Sequence, residues 1–66
     1  MHERKSYDVG LERAINAVGS IYKLAQLLDI QPSAIRKWRR VPDHRIVEIE
    51  QKVGVPREQL RPDLYR

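Results

Sequence analysis

Five basic side chains lie close together in the second half of this 66-residue chain, between residues 36 and 45. They are Arg36, Lys37, Arg39, Arg40 and Arg45, and Asp43 is the only acidic residue among them. This segment carries a net charge of +4, which equals the formal net charge of the whole chain. Positive charge concentrated in this way is typical of a surface that binds nucleic acid. The alternative is a solvated helix face, but such a face usually interleaves acidic partners with its cations.

The spacing around these cations predicts a two-turn helix that begins at Pro32, because proline is favoured in the first turn. Ile35 and Trp38 lie three residues apart and face inward. The opposite face carries residues at i, i+3, i+4 and i+7, namely Ser33, Arg36, Lys37 and Arg40. An α-helix fits the major groove of DNA, where long donors on its outer face reach the base edges. The predicted base-reading residues are therefore this set together with Gln31, the expected helix cap.

A second set of residues is predicted to bind phosphates. A preceding helix begins after Ser20, and the N–H groups and polar side chains of its first turn suit a phosphate oxygen. Surface packing is the alternative role for Tyr22. Arg39 lies beside the buried stripe, which favours a phosphate over a base, whereas Arg45 binds either a phosphate, Glu48 or another helix. The predicted phosphate-binding set is Ser20, Tyr22, Lys23, Arg39 and Arg45.

The turn between these two helices is predicted at Asp29. Its place in the pattern requires a left-handed backbone, which glycine adopts most easily and aspartate adopts with some frequency. Ala25 is the small residue expected where the two helices cross, and Ile30 is expected to fill the core between them. A stacking platform for single-stranded nucleic acid is the alternative role for Trp38, but its spacing from Ile35 favours the core.

The other segments also have helical patterns, and no period-2 run indicates a strand. Helices are expected at about 8–18, 20–28 and 42–53, with Asp8, Gly19, Ser20 and Gly54 at their ends and a final turn carrying Leu60. The predicted fold is all-α, a compact bundle of about five short helices in one domain of residues 1–66. Residues 1–6 are expected to be flexible. Arg4 and Lys5 are either a basic arm that contacts DNA or part of a tail without a binding role. Residues 62–66 form a tail that frays unless Leu64 and Tyr65 dock.

Several classes of function are excluded by what the sequence lacks. It has no cysteine, and its two histidines do not fall at metal-ligand spacings. No nucleophile–base set, glycine-rich phosphate loop or inward-facing carboxylate pair emerges, so we expect no enzyme activity, no cofactor and no metal. No stretch approaches the roughly 20 apolar residues that span a membrane, and the N-terminus lacks the apolar region of a secretory signal. A soluble intracellular protein is expected.

The stretch from Ile21 to Arg40 resembles the helix-turn-helix of Cro-like phage repressors. Its flanking segments, including GLERAINAVGS, LAQLLDIQPSAIRKWRR and LRPDLY, resemble the YdaS-like antitoxins and Cro-type regulators of prophages. The resemblance covers about residues 10–65 and implies a lambda-repressor-like, Cro-like fold with DNA-facing residues in the third helix. Two departures stand out. Asp29 occupies the position that usually holds glycine, and Ile21 occupies one that often holds a phosphate-binding glutamine.

The function that the resemblance implies is a sequence-specific transcription regulator, a Cro-type (pro)phage repressor in the bacterial cytoplasm. Its expected partner is a palindromic double-stranded operator, bound by a homodimer that forms at least on DNA, with half-sites about 34 Å apart. No membrane or small-molecule ligand is expected. The candidate dimer residues are Val47, Val55, Leu60, Leu64 and Tyr65. Two alternatives remain, an antitoxin that binds a protein toxin and autoregulates, and a helical adaptor that binds no nucleic acid.

Overall fold

Helices account for all the regular secondary structure in the computed structural model, which describes residues 7–65. The α-helices are α1 (Val9–Val18), α2 (Ile21–Leu28), α3 (Pro32–Arg36), α4 (Ile46–Val53) and α5 (Arg57–Leu60). One turn of 3₁₀ helix, Asp43–Arg45, leads directly into α4. The all-α prediction is confirmed. Arg4 and Lys5, the residues of the suggested basic arm, lie outside the described residues.

Both ends of α1 follow the local sequence. The Asp8 carboxylate accepts a hydrogen bond from the backbone N–H of Leu11 at 3.0 Å, which satisfies one of the unpaired donors of the first turn. Gly19 ends the helix with φ +108°, and its N–H donates to the carbonyl of Ile15. The predicted cap and stop residues are confirmed, with Asp8 preceding the helix as its cap.

The turn between α2 and α3 has the left-handed backbone that the sequence predicts. The Ser20 hydroxyl caps the start of α2 by accepting from the N–H of Lys23 at 3.1 Å. At the other end, Asp29 has φ 59° and ψ 45°. Its N–H and that of Ile30 donate back to carbonyls of the last turn of α2, at 3.2 and 3.0 Å. Asp29 thus adopts the left-handed backbone of this turn, which glycine would adopt at a lower conformational cost.

Replacing Asp29 with glycine should stabilise the fold by about 1 kcal/mol, because glycine adopts the left-handed region without a Cβ penalty. For a domain of this size, the melting temperature should rise by roughly 4–8 °C, as measured by thermal unfolding followed by circular dichroism. Gly54→Asp is the reciprocal control, since Gly54 ends α4 with φ +88° and should lower the melting temperature. An unchanged or lower melting temperature in Asp29→Gly would contradict the strain ascribed to Asp29.

The core is aliphatic, as the absence of phenylalanine leads one to expect. Its buried members are Leu11, Ala14, Leu24, Ala25, Leu28, Ile35, Val41, Ile46, Ile49 and Leu60. Trp38 and Ile30 are half-buried and pack against this cluster, so the core role expected for both is confirmed in this form. In α2, Leu27 lies off the buried face and is 41% exposed. In the tail, Tyr65 packs against the core and Leu64 stays exposed.

The largest difference from the prediction lies between α3 and α4. The third helix was expected to continue to Arg40, but α3 ends at Arg36. The N–H groups of Lys37 and Trp38 donate to carbonyls three residues back, at 3.2 and 2.9 Å, which tightens the last turn. The chain then leaves the helix, so that Val41 is completely buried. Similarly, residues 43–45 form a 3₁₀ turn, where the start of the fourth helix was expected.

Candidate nucleic-acid interface

The exposed side of α3 lies next to the start of α2 and is held there by the core. Ile35 is completely buried and fixes the inner face of α3. On the outer side, Ser33, Arg36 and Lys37 are exposed. Gln31 precedes the helix as its N-cap residue, but its side chain makes no capping hydrogen bond. The amide of Gln31 therefore remains available for an external partner.

Two of the predicted site residues contact each other. The Nη2 atom of Arg36 donates to the hydroxyl of Tyr22 at 2.7 Å, and the guanidinium carbon lies 5.4 Å from the centroid of the Tyr22 ring. This contact joins the first turn of α2 to the last turn of α3. It places one cation of the base-reading set and one residue of the phosphate-binding set side by side on the surface.

Arg40 lies elsewhere than the helical spacing suggested. It follows α3 in a bend, so it does not share a helical face with Ser33 and Arg36. Its Nη1 atom lies 3.6 Å from a carboxylate oxygen of Asp63, and both side chains are largely exposed. The helical reason for placing Arg40 among the base-reading residues was therefore wrong. Its role in contacting DNA stays a prediction.

The remaining cations differ in how far they are already paired. Arg45 donates to the Glu48 carboxylate at 2.9 Å, one of the alternatives that the sequence left open. Glu48 also accepts a hydrogen bond from Lys52 at 3.2 Å. The bond from Lys52, and to a smaller extent that from Arg45, lowers the pKa of the Glu48 carboxyl. In contrast, the exposed side chains of Lys37 and Arg39 form no hydrogen bond or ion pair within residues 7–65.

At the start of α2, the predicted phosphate-binding residues are divided by local structure. The oxygen of Ser20 is engaged as the helix cap, whereas the side chains of Tyr22 and Lys23 project into solvent. Ile21, which stands where related motifs often carry glutamine, is half-buried and packs against the core. An external phosphate would therefore meet the backbone N–H groups of the first turn together with Tyr22 and Lys23.

A buried cation that the sequence did not reveal holds the segment that follows α3. The side chain of Arg61 is only 6% exposed. Its Nη1 donates to the carbonyl of Val41 at 2.9 Å and to the carboxylate of Asp43 at 2.6 Å. Its Nε and Nη2 donate to the two oxygens of Asp63 at 2.9 and 2.8 Å. Arg61 thus ties the segment after α3 to the C-terminal tail.

The ion pairs of Arg61 have a clear electrostatic consequence. The guanidinium, through its hydrogen bonds, lowers the pKa of the Asp63 carboxyl from its ordinary value of 3.8 to about 2. The same hydrogen bonds raise the pKa of Arg61 above its ordinary value. Because Asp63 also lies beside Arg40, the tail holds one carboxylate between a buried and an exposed cation.

The surfaces proposed for dimerisation are only partly available. Leu60 is completely buried, so its assignment to a dimer surface was wrong; it packs in the core of one chain. Val55 and Tyr65 are half-buried. Val47 and Leu64 remain as exposed apolar side chains, 46% and 48% accessible.

Two further properties concern the described part of the chain. No group of three or more His, Cys, Asp or Glu side chains that could hold a metal ion occurs in residues 7–65. None of the helices there has the length and apolar character needed to cross a lipid bilayer.

The chain is similar both to a described protein family and to a solved structure. The model of the family described as bacterial toxin YdaS matches residues 11–66. No curated protein matches the chain. Among solved structures, it is similar to the Cro protein from the prophage element Xfaso 1 of Xylella fastidiosa strain Ann-1, with a TM-score of 0.75 and 38% identity over 89% of this chain and 98% of that chain. The chain therefore belongs to the YdaS family and shares the fold of a prophage Cro protein.

Proposed function

We propose that this protein is a Cro-type transcription regulator that binds double-stranded DNA sequence-specifically, with α3 in the major groove. The observation that carries the proposal is the outer side of α3, where Ser33, Arg36 and Lys37 are exposed while Ile35 anchors the inner face. The structural likeness to a prophage Cro protein supports the same function. We expect no catalytic activity, and we expect the protein to act on DNA in the bacterial cytoplasm.

The geometry of the site suggests a division of roles. Arg36, Lys37, Ser33 and Gln31 lie on or directly before α3 and are assigned to base edges. Arg36 is suited to guanine, whose two acceptors match a guanidinium fork. Gln31 is suited to adenine or to a phosphate. Arg40 remains a candidate base reader, although its position in the bend after α3 also suits a phosphate. The phosphates of the DNA backbone are assigned to the Ser20 end of α2 and to Tyr22, Lys23, Arg39 and Arg45.

A single short recognition helix reads few base pairs, so specific binding is expected to require two copies on a palindromic site. Helix-turn-helix dimers meet half-sites about 34 Å apart, one turn of DNA. Val47 and Leu64 are the exposed apolar side chains that remain from the candidate dimer set. The dimer is expected at least on DNA.

Arg36→Ala should weaken binding to the preferred duplex by about 1–3 kcal/mol and relax selectivity at one base pair of each half-site. The duplex is first selected from genomic fragments or a random pool. Dissociation constants are then measured by fluorescence anisotropy at two salt concentrations. Binding of the unaltered protein should weaken steeply with salt, because phosphate contacts release counterions.

Arg13→Ala is the matched control, since it also removes one exposed cation, from α1, where Arg13 donates to the carbonyl of Gln59. It should leave base selectivity unchanged. Failure of the unaltered protein to bind any duplex, or an affinity that does not change with salt concentration, would refute the DNA-binding function. Equal loss of affinity for all sequences in Arg36→Ala would refute the base-reading role of Arg36 alone.

A role in a toxin–antitoxin pair is the second candidate, because the family description names a bacterial toxin. The sequence had suggested the antitoxin side of such a pair. Controlled expression of the chain in a bacterial host separates the two sides. A toxin arrests growth by itself, whereas an antitoxin rescues growth when a toxin encoded beside it is expressed. Neither effect is expected of a regulator that acts only at an operator.

A further inference from the structure

The contact between Tyr22 and Arg36 differs from those of the other paired arginines between residues 36 and 45. Arg40 and Arg45 lie beside the carboxylates of Asp63 and Glu48, which offset their charge. The partner of Arg36 is a neutral hydroxyl at 2.7 Å. Arg36 is therefore held in place while it keeps its positive charge, which is the combination that a contact to DNA requires.

The geometry also leaves most of the guanidinium available. A guanidinium carries five N–H donors, and the Tyr22 hydroxyl accepts a bond from Nη2. The two hydrogens of Nη2 belong to different edges of the guanidinium, so one edge keeps both of its parallel donors for a guanine whichever hydrogen Tyr22 accepts. The ring, with its centroid 5.4 Å from the guanidinium carbon, restricts the side chain further without using any donor. A flexible arginine loses rotamer freedom when it binds, and a contact already present in the unbound protein reduces that loss.

This pair contributes little to the hydrophobic core. Tyr22 is 62% exposed, and the packing of α2 rests on its buried residues Leu24, Ala25 and Leu28. Tyr22 is exposed, yet its side chain reaches from α2 to Arg36 on the outer side of α3. A role in binding explains this contact better than a role in stability.

We propose that Tyr22 is a positioning residue that orients Arg36 for the base pair it reads, and so contributes to sequence selectivity through a residue other than itself. The inference rests on the proposed DNA-binding function. It goes beyond the phosphate contact predicted for Tyr22. That contact remains compatible with it, because the hydroxyl accepts from Arg36 and keeps its own hydrogen to donate.

The test is a double-mutant cycle with Tyr22→Phe and Arg36→Ala, measured by anisotropy on the selected duplex and on duplexes changed at single base pairs. Tyr22→Phe should reduce discrimination roughly three- to tenfold at the same base pair where Arg36→Ala loses it. In the Arg36→Ala background, Tyr22→Phe should no longer change discrimination at that position. Gln26→Ala removes another exposed polar group from α2 and should leave discrimination unchanged.

Two results would overturn the proposal. One is a loss of affinity in Tyr22→Phe that is equal for all duplexes and persists in the Arg36→Ala background, which is the pattern of a phosphate contact alone. The other is discrimination unchanged by Tyr22→Phe. Circular dichroism establishes that each variant is folded. Failure of the unaltered protein to bind any duplex would instead refute the proposed function, so the two failures are distinguishable.

Discussion

Gly10→Ala should destabilise the protein by about 2–3 kcal/mol, near the upper end of the usual cost of overpacking, although alanine favours helices more than glycine does. A Cβ atom built on Gly10 would lie 1.8 Å from the carbonyl oxygen and 2.6 Å from the carbonyl carbon of Leu60. Both are backbone atoms of α5, so no side-chain rotation can relieve the overlap. The two helices would have to separate, and overpacking of this kind costs about 1–3 kcal/mol or more.

The opposing term is small. Alanine gains at most about 1 kcal/mol over glycine in a helix interior, and Gly10 lies in the first turn of α1. A domain of 66 residues has a total stability of about 3–10 kcal/mol at the usual value per residue. The expected loss is therefore a large fraction of the whole. Urea denaturation followed by circular dichroism measures it directly.

Gly19→Ala separates overlap from backbone strain. Nothing lies within 4 Å of a Cβ built on Gly19, but its φ is +108°. That variant should lose about 1–2 kcal/mol through strain alone. A stability of Gly10→Ala equal to or above that of the unaltered protein would show that α1 and α5 are not in the close contact described.

Helix ends and turns were the part of the fold that the sequence predicted best, because they depend on local chemistry. Asp8 and Ser20 accept bonds from N–H groups three residues away, and Gly19 and Gly54 reverse the chain in the left-handed region. Asp29 could be assigned for the same reason. Each of these residues acts within a few positions of itself, so its type and spacing contain most of the required information.

The segment after α3 was predicted poorly because its structure depends on distant residues. Continued helical spacing made Arg40 appear to share a face with Arg36. Instead, the chain leaves the helix for two reasons. Val41 is buried in the core, and the N–H of Asp8 donates to the carbonyl of Arg39 at 2.9 Å. Neither contact leaves a periodic signal. The role of Gly10 was missed for the same reason, since its neighbour is Leu60.

For the candidate site, the sequence identified residue types better than their arrangement. It assigned Arg36 and Tyr22 to different parts of the DNA, whereas the structure brings them into contact. It did not single out Arg61, which lies between Leu60 and Pro62 with other charged residues two or three positions away on both sides. Burial of that cation follows from the packing of the tail against the segment after α3, which no local pattern encodes.

Arg61→Met should lower the stability by about 2–3 kcal/mol, because it removes a buried cation from its two carboxylate partners. The methionine keeps apolar bulk but leaves the Val41 carbonyl without its donor and removes the partner of Asp43 and Asp63. Breaking a buried ion pair costs about 3–5 kcal/mol. Here both carboxylates reach solvent, with side chains 78% and 48% exposed, so a smaller loss is expected. Urea denaturation at neutral pH measures it.

Arg57→Met is the matched control for Arg61→Met. Arg57 also pairs with a carboxylate, that of Glu50 at 2.9 Å, but its side chain is 40% exposed. Its removal should therefore cost distinctly less. Equal losses in the two variants would contradict the importance given to the burial of Arg61. Arg61→Lys should recover only part of the loss, since an ammonium cannot reproduce the paired bonds to Asp63.

The pH dependence of stability provides an independent check on Arg61. The pKa of Asp63 is about 2 in the folded protein and 3.8 without its partners. A lowered folded pKa means that this contribution is complete above about pH 4 and is lost as the pH falls toward 2. The stability difference between the unaltered protein and Arg61→Met should therefore shrink across this range. Glu48 and Glu50, whose pKa values are also lowered, keep their partners in both proteins and should cancel in the difference. A stability difference that stays constant from pH 5 to pH 2 would show that the Arg61–Asp63 pair does not stabilise the fold.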